Sequence, residues 1–363
     1  MEDLTLVAVI VVALFFDFTN GFHDTANAIA TSVSTRALSP RVAVLVSAIL
    51  NFAGAFVSLK VAATVAKGIV NPDAVTLSVI LAGLVGAITW NLVTWFLGLP
   101  SSSSHALIGG IAGAAIAADG WGVIEWQGVW DRVVKPGILS PILGFLIALA
   151  LMFVIIWIIR RRSPSRVNRV FRRAQIVSGS FVAFTHGTND AQKTMGVIAL
   201  ALISTGHMSS EGFDLPTWVI VSSATAMALG TYAGGWRIIK TMGTRIAKIN
   251  PPQGFSAQTA TAGILWTTAH LGFPVSTTQT VTGSVMGAGA SRKFSAVRWG
   301  LAGNIAVAWA LTLPAAGMVG AVMEEVTRMP AGDLIVFLLA GAIAATAFLA
   351  RRYETRRLVP AHA

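Results

Sequence analysis

Apolar stretches alternate with short charged connections along the whole chain. Residues 4–34, 42–66, 74–97, 101–118, 136–159, 174–203, 216–236, 253–272, 275–290, 299–323 and 333–350 carry few charges. Each is about as long as the ~20 residues a helix needs to cross a bilayer. The pattern predicts an all-α polytopic membrane protein.

Composition agrees with the pattern. Of 363 residues, 55% are hydrophobic and 11% charged, where a soluble domain has about 25% charged. The 35 glycines suit close helix approach and helix breaks, both common in membrane spans. Cysteine is absent, which excludes disulfides and thiolate metal sites. The Met-Glu-Asp start is acidic and no small-residue cleavage site follows, so no cleavable signal peptide is expected.

The net charge of +11 would by itself suit a nucleic-acid partner, but its distribution argues against one. Basic residues collect in alternate connections: Arg36 and Arg41, seven arginines from Arg160 to Arg173, then Arg237, Lys240, Arg245 and Lys248. Arg292, Lys293, Arg298, Arg351, Arg352, Arg356 and Arg357 complete that set. The remaining connections hold only Lys67, Arg132, Lys135 and Arg328, together with eleven of the fifteen acidic residues, among them Asp73, Glu211 and Asp333. The positive-inside rule makes the first set cytoplasmic. It places the N-terminus outside and the C-terminus inside, in the cell membrane, with 160–173 a basic linker near anionic lipid.

Two motifs occur twice. FTNGFHD (18–24) returns as FTHGTND (184–190), and LGLPSSSSHALIGGIAGA (97–114) as LGFPVSTTQTVTGSVMGA (271–288). Their agreement in order and separation implies an internal duplication. Under the charge-derived topology the first FT-x-G span runs inward and the second outward. The expectation is two inverted-topology repeats, 1–159 and 174–350, joined by 160–173 and followed by a cytoplasmic tail, 351–363. Gly-x-Pro and a hydroxyl run break each of 74–118 and 253–290, which favours re-entrant hairpins meeting at the midplane, where repeat-built transporters bind substrate.

The hydroxyl runs Ser101–Ser104 and Ser276–Thr278 precede new helices, as N-caps do. Two converging helix N-termini would form an anion site; the alternative is capping alone. Asp24 and Asp190 lie inside apolar spans, where a carboxylate costs ~3 kcal/mol or more and marks function. Each follows a glycine, so helix breaks with exposed carbonyls, suited to Na⁺ or H⁺, are expected there. Structural pairing with a buried cation is the other reading. Asp17 faces Ala183 in the repeat alignment and its role is less secure. Asn27 aligns with Lys193, whose ammonium either replaces a mobile cation and biases coupling toward protons, or pairs with Asp190. His23 and His105 could relay protons or be satisfied buried histidines. Asn51, Asn91 and Asn304 read as interhelical glue.

NGFHDTANAIAT (20–31), HGTNDAQKTMG (186–196), GLPSSSSHALIGG (98–110) and GFPVSTTQT (272–280) resemble the duplicated signatures of the inorganic phosphate transporter (PiT) family. The resemblance spans both halves. It implies phosphate symport with H⁺ or Na⁺ and carries the site onto Asp24, Asn27, Ser103, Ser104, Asp190, Thr277 and Thr278. We assign Ser102, Ser103, Ser104, Ser276, Thr277, Thr278, Asn27, Asn189 and Lys193 to substrate, and Asp24, Asp190 and His23 to cation or proton coupling. No resident metal or covalent cofactor is expected. The run Asn189-Asp190-Ala191-Gln192-Lys193 resembles the bacterial low-affinity branch, which implies proton coupling and phosphate taken with a divalent metal such as Mg²⁺. The expected partners are inorganic phosphate and the lipid bilayer, with no nucleic acid; oligomeric state is open, a homodimer included.

Three other functions fit the residues less well. A sulfate symporter is disfavoured because phosphate near neutral pH still carries a proton to donate to a carboxylate, whereas sulfate does not. A passive anion channel would not concentrate its substrate. A serine hydrolase using the 101–104 run with His105 or His186 is disfavoured because the side chains of adjacent Ser104 and His105 diverge on a helix, which leaves a triad only with a distant histidine, and no metal-protease spacing occurs. No enzymatic activity is expected.

Overall fold

The computed structural model describes residues 2–72, 75–209 and 213–358. Asp73 and Glu211, two of the acidic positions in the charge argument, and residues 359–363 of the tail lie outside them. The described chain is helical, with two isolated antiparallel bridges, Val70 to Ile124 and Ala247 to Val297. The first series of helices is α1 (Glu2–Ser34), α2 (Pro40–Gly54), α3 (Lys60–Lys67), α4 (Leu77–Leu97), α5 (Ser103–Asp119), α6 (Trp126–Val129) and α7 (Lys135–Ile159). The second is α8 (Pro164–Ser204), α9 (Thr217–Ala233), α10 (Trp236–Lys240), α11 (Pro251–Leu271), α12 (Thr277–Ala290), α13 (Trp299–Thr327) and α14 (Gly332–Leu358).

Small details recur between the series. Glu125 N–H donates to Ile69 O (3.0 Å), and Arg298 N–H donates to Ile246 O (3.0 Å). The Trp126 indole donates to Trp121 O (3.1 Å), and the Trp299 indole to Phe294 O (2.9 Å). Packing is exchanged between the series: α13 lies on α5 as α7 lies on α12, and α9 lies on α1 as α2 lies on α8. The two long central helices run in opposite directions. Thr35 near the end of α1 donates to Gln175 near the start of α8 (2.8 Å), while Asp24 lies level with Asp190 further along.

Among the described residues, four helical segments are long and apolar enough to cross a membrane: Asp3–Ser34, Leu77–Leu97, Trp126–Ile159 and Trp299–Thr327. The last two expose large apolar side chains, including Ile142, Phe153, Trp157, Leu311 and Val322, as a lipid-facing surface does. Helix α8 is more polar because much of it is enclosed by protein rather than lipid.

Three sequence-based expectations need correction. The stretch 42–66 is two helices, α2 and α3, interrupted between Gly54 and Lys60. The interruption is supported from α8, where Gln192 Oε1 accepts the N–H groups of Val61 (2.9 Å) and Ala62 (3.2 Å), donors that a helix start leaves without an internal partner. The stretch given as 174–203 begins earlier, inside the basic segment: Ser163 precedes Pro164, and the arginines that follow form the first turns of α8, consistent with proline at a helix start and the good helix propensity of arginine. Residues 351–358 likewise continue α14. Finally, α1 and α8 are unbroken at Asp24 and Asp190. The glycines that suggested breaks serve close packing. A side chain on Gly21 would strike the Met227 carbonyl of α9, and one on Gly187 would strike the Asn51 backbone of α2.

The core divides into two apolar clusters. One holds Leu6–Phe16 of α1, much of α4 and α5, and Ala191–Leu202 of α8. The other holds Phe22–Ala30 of α1 with parts of α10, α11 and α12. Buried polar side chains gather along the seam between them.

Candidate functional site

Two helical hairpins bring their turns to this seam. Helix α4 ends at Gly98, whose φ of 67° is left-handed, a conformation glycine adopts without a Cβ penalty. The chain turns through Pro100 and α5 begins at Ser103. Gly272 (φ 78°) ends α11 in the same way before α12 begins at Thr277. The caps are Ser102, whose Oγ accepts the His105 N–H (3.1 Å), and Ser276, whose Oγ accepts the Gln279 N–H (3.3 Å). Ser103, Ser104, Thr277 and Thr278 keep backbone N–H groups with no intrahelical acceptor.

Around these turns the hydroxyls meet the two carboxylates. Ser103 Oγ donates to Asp24 Oδ2 (2.8 Å) and Thr278 Oγ1 to Asp24 Oδ1 (3.1 Å). Thr277 Oγ1 donates to Asp190 Oδ2 (3.2 Å). Asn27 Nδ2 donates to both Thr277 and Thr278, each at 3.0 Å. Lys193 Nζ donates to Asp190 Oδ1 (2.5 Å), Ser104 Oγ (2.5 Å) and Val275 O (3.1 Å). One continuous network thus links α1, α8 and both hairpins. All of these side chains are buried; Lys193 is 1% exposed, so its charge depends on Asp190 for compensation.

Histidines complete the network. His23 Nδ1 lies 2.6 Å from Asp24 Oδ1, and its Nε2 is 3.3 Å from both Thr94 Oγ1 and Ser101 Oγ. His186 Nε2 lies 3.1 Å from Asp190 Oδ2, and its Nδ1 is 3.1 Å from Asn51 Oδ1. Ligand atoms of Asp24, His186 and Asp190 fall within 4.8 Å of one another. Carboxylate oxygen and imidazole nitrogen together suit a proton or a divalent cation better than a softer metal.

The structure joins Asp24, Asp190, His23, Asn27, Ser103, Ser104, Thr277, Thr278 and Lys193. Ser102 and Ser276 hold the helix starts instead of touching the carboxylates. Asn189 Nδ2 donates to the Phe273 carbonyl at the second turn (3.4 Å). His105 points away, against Gly137 and Gln279. Asn51 does act as glue, donating to Thr231 (2.8 Å), whereas Asn304 is exposed on α13. Sequence reading missed His186 as a member of the site and Gln192 as the support of α3. The i, i+4 spacing of His186 and Asp190, which places both on one helix face, was the available signal for the first.

Comparison with known proteins gives one consistent result. A family model described as "Phosphate transporter family" matches residues 20–166 and 159–320. The chain is 53% identical over 317 residues to a probable low-affinity inorganic phosphate transporter of Rhizobium meliloti (strain 1021), covering 87% of this chain and 94% of the relative. Proteins of the same description from Bacillus subtilis (strain 168) and Mycobacterium tuberculosis (strain ATCC 25618 / H37Rv) are 46% and 54% identical. These matches cover 91% and 88% of this chain, and 99% and 77% of the relatives. A solved structure titled "The sodium-dependent phosphate transporter" shares the fold, with a TM-score of 0.79, 24% identity, and coverage of 89% of this chain and 99% of that one.

Proposed function

The chain belongs to the phosphate transporter family, and from that premise we propose that it moves inorganic phosphate across the cell membrane by cation-coupled alternating access. One observation carries the reading: the starts of α5 and α12 converge on Asp24 and Asp190 in a single buried network. Helix N-termini favour anions, and hydroxyls that now donate to carboxylates can turn to phosphate oxygens. A protonated phosphate donates back to a carboxylate, which sulfate does not. Lys193 supplies positive charge to the anion through the Ser104 end of α5.

The two series are inverted repeats, 1–159 and 174–350, with the basic residues 160–173 between them. Support comes from the opposite directions of α1 and α8 and the exchanged packing of their partners. Helices α5 and α12, of 17 and 14 residues, are ~26 and ~21 Å long, short of a ~30 Å hydrocarbon core. That length suits hairpins that enter and return on one side. The basic connections place the N-terminus outside and the C-terminus in the cytoplasm.

Coupling is to protons, because the Lys193 ammonium occupies the place beside Asp190 where a mobile cation would otherwise balance the carboxylate. Asp24, His186 and Asp190 are grouped closely enough to take a divalent ion that travels with phosphate as cargo. The test is labelled phosphate uptake into proteoliposomes under imposed H⁺ or Na⁺ gradients, with and without Mg²⁺. Concentrative uptake driven by the H⁺ gradient and strengthened by Mg²⁺ is expected. Uptake that ignores both gradients would defeat the proposal.

A further inference from the structure

Asp17 is fully buried on α1, and neither of its carboxylate oxygens has a hydrogen-bond partner among the described residues. It lies seven residues before Asp24, two turns along the same helix face. The apolar cluster that contains Ala13 and Phe16 borders it. From α8, the neighbouring groups are Thr194, Lys193 and Asp190. Helices α4 and α9, also packed on α1, carry no Asp, Glu, Lys, Arg or His between residues 77 and 97 or 217 and 233. Asn20, one turn from Asp17, and Asn91 on α4 are buried amides that also lack partners, and the Thr194 hydroxyl makes no hydrogen bond of normal geometry.

The contrast with the other two carboxylates is chemical. Asp24 accepts from Ser103 and Thr278 and touches His23; Asp190 accepts from Lys193 and Thr277. In both, hydrogen-bond donors meet the buried carboxylate oxygens. Asp17 has no such donors, and an isolated buried carboxylate avoids the cost of its charge by taking a proton. Asp17 together with Asp24, Asp190 and the single Lys193 ammonium makes this part of the core net negative when all three carboxylates are ionised, so an incoming phosphate requires neutralisation. Asp17 is not among the groups placed to share a metal ion.

We propose that Asp17 is a proton-carrying site of the transport cycle, separate from the Asp24 and Asp190 pair that meets the substrate. It rests on the transport reading above. One O–H bond forms when the carboxylate takes a proton from one side of the membrane, and the same bond breaks when access switches and the proton leaves to the other. Asn20 follows Asp17 by one turn of α1 toward Asp24, and Thr194 follows Asp190 by one turn of α8.

The experiment uses the full chain in proteoliposomes and two assays: exchange of labelled for unlabelled inorganic phosphate at equal pH, and accumulation driven by an inward proton gradient. Asp17→Asn is expected to keep exchange and to lose gradient-driven accumulation, while Asp17→Glu recovers it. For one coupled proton, a gradient of one pH unit changes the accumulation ratio about ten-fold, and that is the loss to be read. Undiminished accumulation by Asp17→Asn overturns the proposal. So does a folded Asp17→Asn protein that fails to exchange, since Asp17 would then belong to phosphate handling. If Asp17→Asn does not fold, infrared difference spectra decide. A protonated-carboxyl band in the wild type that shifts in Asp17→Glu supports the site, and its absence refutes it. Failure of the transport reading would look different, because the wild type would exchange no phosphate while the infrared result still stood.

Discussion

Lys193 Nζ sits 2.5 Å from Asp190 Oδ1, one turn earlier on α8, and the residue aligned with Lys193 in the first half is Asn27. The halves thus solve the same electrostatic problem differently. Beside Asp24, hydroxyls and a histidine meet the carboxylate; beside Asp190, a fixed ammonium joins the Thr277 hydroxyl and His186. Removing one member of a buried pair strands the other, at a cost of about 3–5 kcal/mol. Lys193→Met should therefore lower thermal stability in detergent sharply, whereas the double variant Lys193→Met/Asp190→Asn should recover much of it and remain transport-dead. Equal melting temperatures for the single variant and the wild type would show that the pair adds nothing.

Lys193→Asn copies the first half into the second. It keeps a hydrogen-bond donor beside Asp190 and removes the fixed charge, leaving room for a mobile cation. Phosphate uptake by this variant should become stimulated by Na⁺ over choline at constant pH, which a gradient-swap assay in proteoliposomes measures. Indifference to Na⁺ would separate Lys193 from ion choice.

Asp24→Asn should fold, because the amide keeps an oxygen to accept from Ser103 or Thr278, yet transport should fall by at least about two orders of magnitude. Size-exclusion behaviour and uptake, measured on the same preparation, test both parts. Near-normal uptake would remove Asp24 from the mechanism.

The hydroxyl runs divide by role. Ser102→Ala and Ser276→Ala remove caps and should each cost about 1 kcal/mol of stability with KM nearly unchanged. Ser103→Ala, Thr277→Ala and Thr278→Ala remove donors to the carboxylates and should raise KM with little change in melting temperature. A large KM effect from the caps alone would reverse the assignment.

Much of this arrangement was legible in the chain. The two FT-x-G motifs located α1 and α8, and Gly-x-Pro with a hydroxyl run located the turns before α5 and α12, because a left-handed glycine, a proline and a capping serine have local causes. Tertiary causes were not legible. Gly21 and Gly187 looked like breaks because a sequence does not show that the α9 or α2 backbone lies against them. The interruption before Lys60 depends on Gln192, which is distant in sequence. The arginines of 164–173 concealed a helix because charge density marks exposure to water and says little about backbone conformation.

Gly21→Leu or Gly187→Leu should disrupt these crossings, since each new side chain meets a backbone that cannot retreat as a flexible side chain can. Reduced yield of folded protein and a lower melting temperature are expected, by fluorescence-detected size exclusion. Wild-type behaviour would mean that α1 and α9, or α2 and α8, separate more readily than their packing implies.

The continuity of α1 and α8 through Asp24 and Asp190 has a mechanical consequence. With 33 and 41 residues, they are beams of ~50 and ~60 Å, and the carboxylates are posts fixed to them. Under the proposed alternating access, unbroken posts assign the opening on either side to the shorter hairpins sliding past, as jaws move along a fixed bar. Substitutions that stiffen the turns at Gly98 or Gly272 should therefore slow the jaws while leaving the spacing of the posts intact.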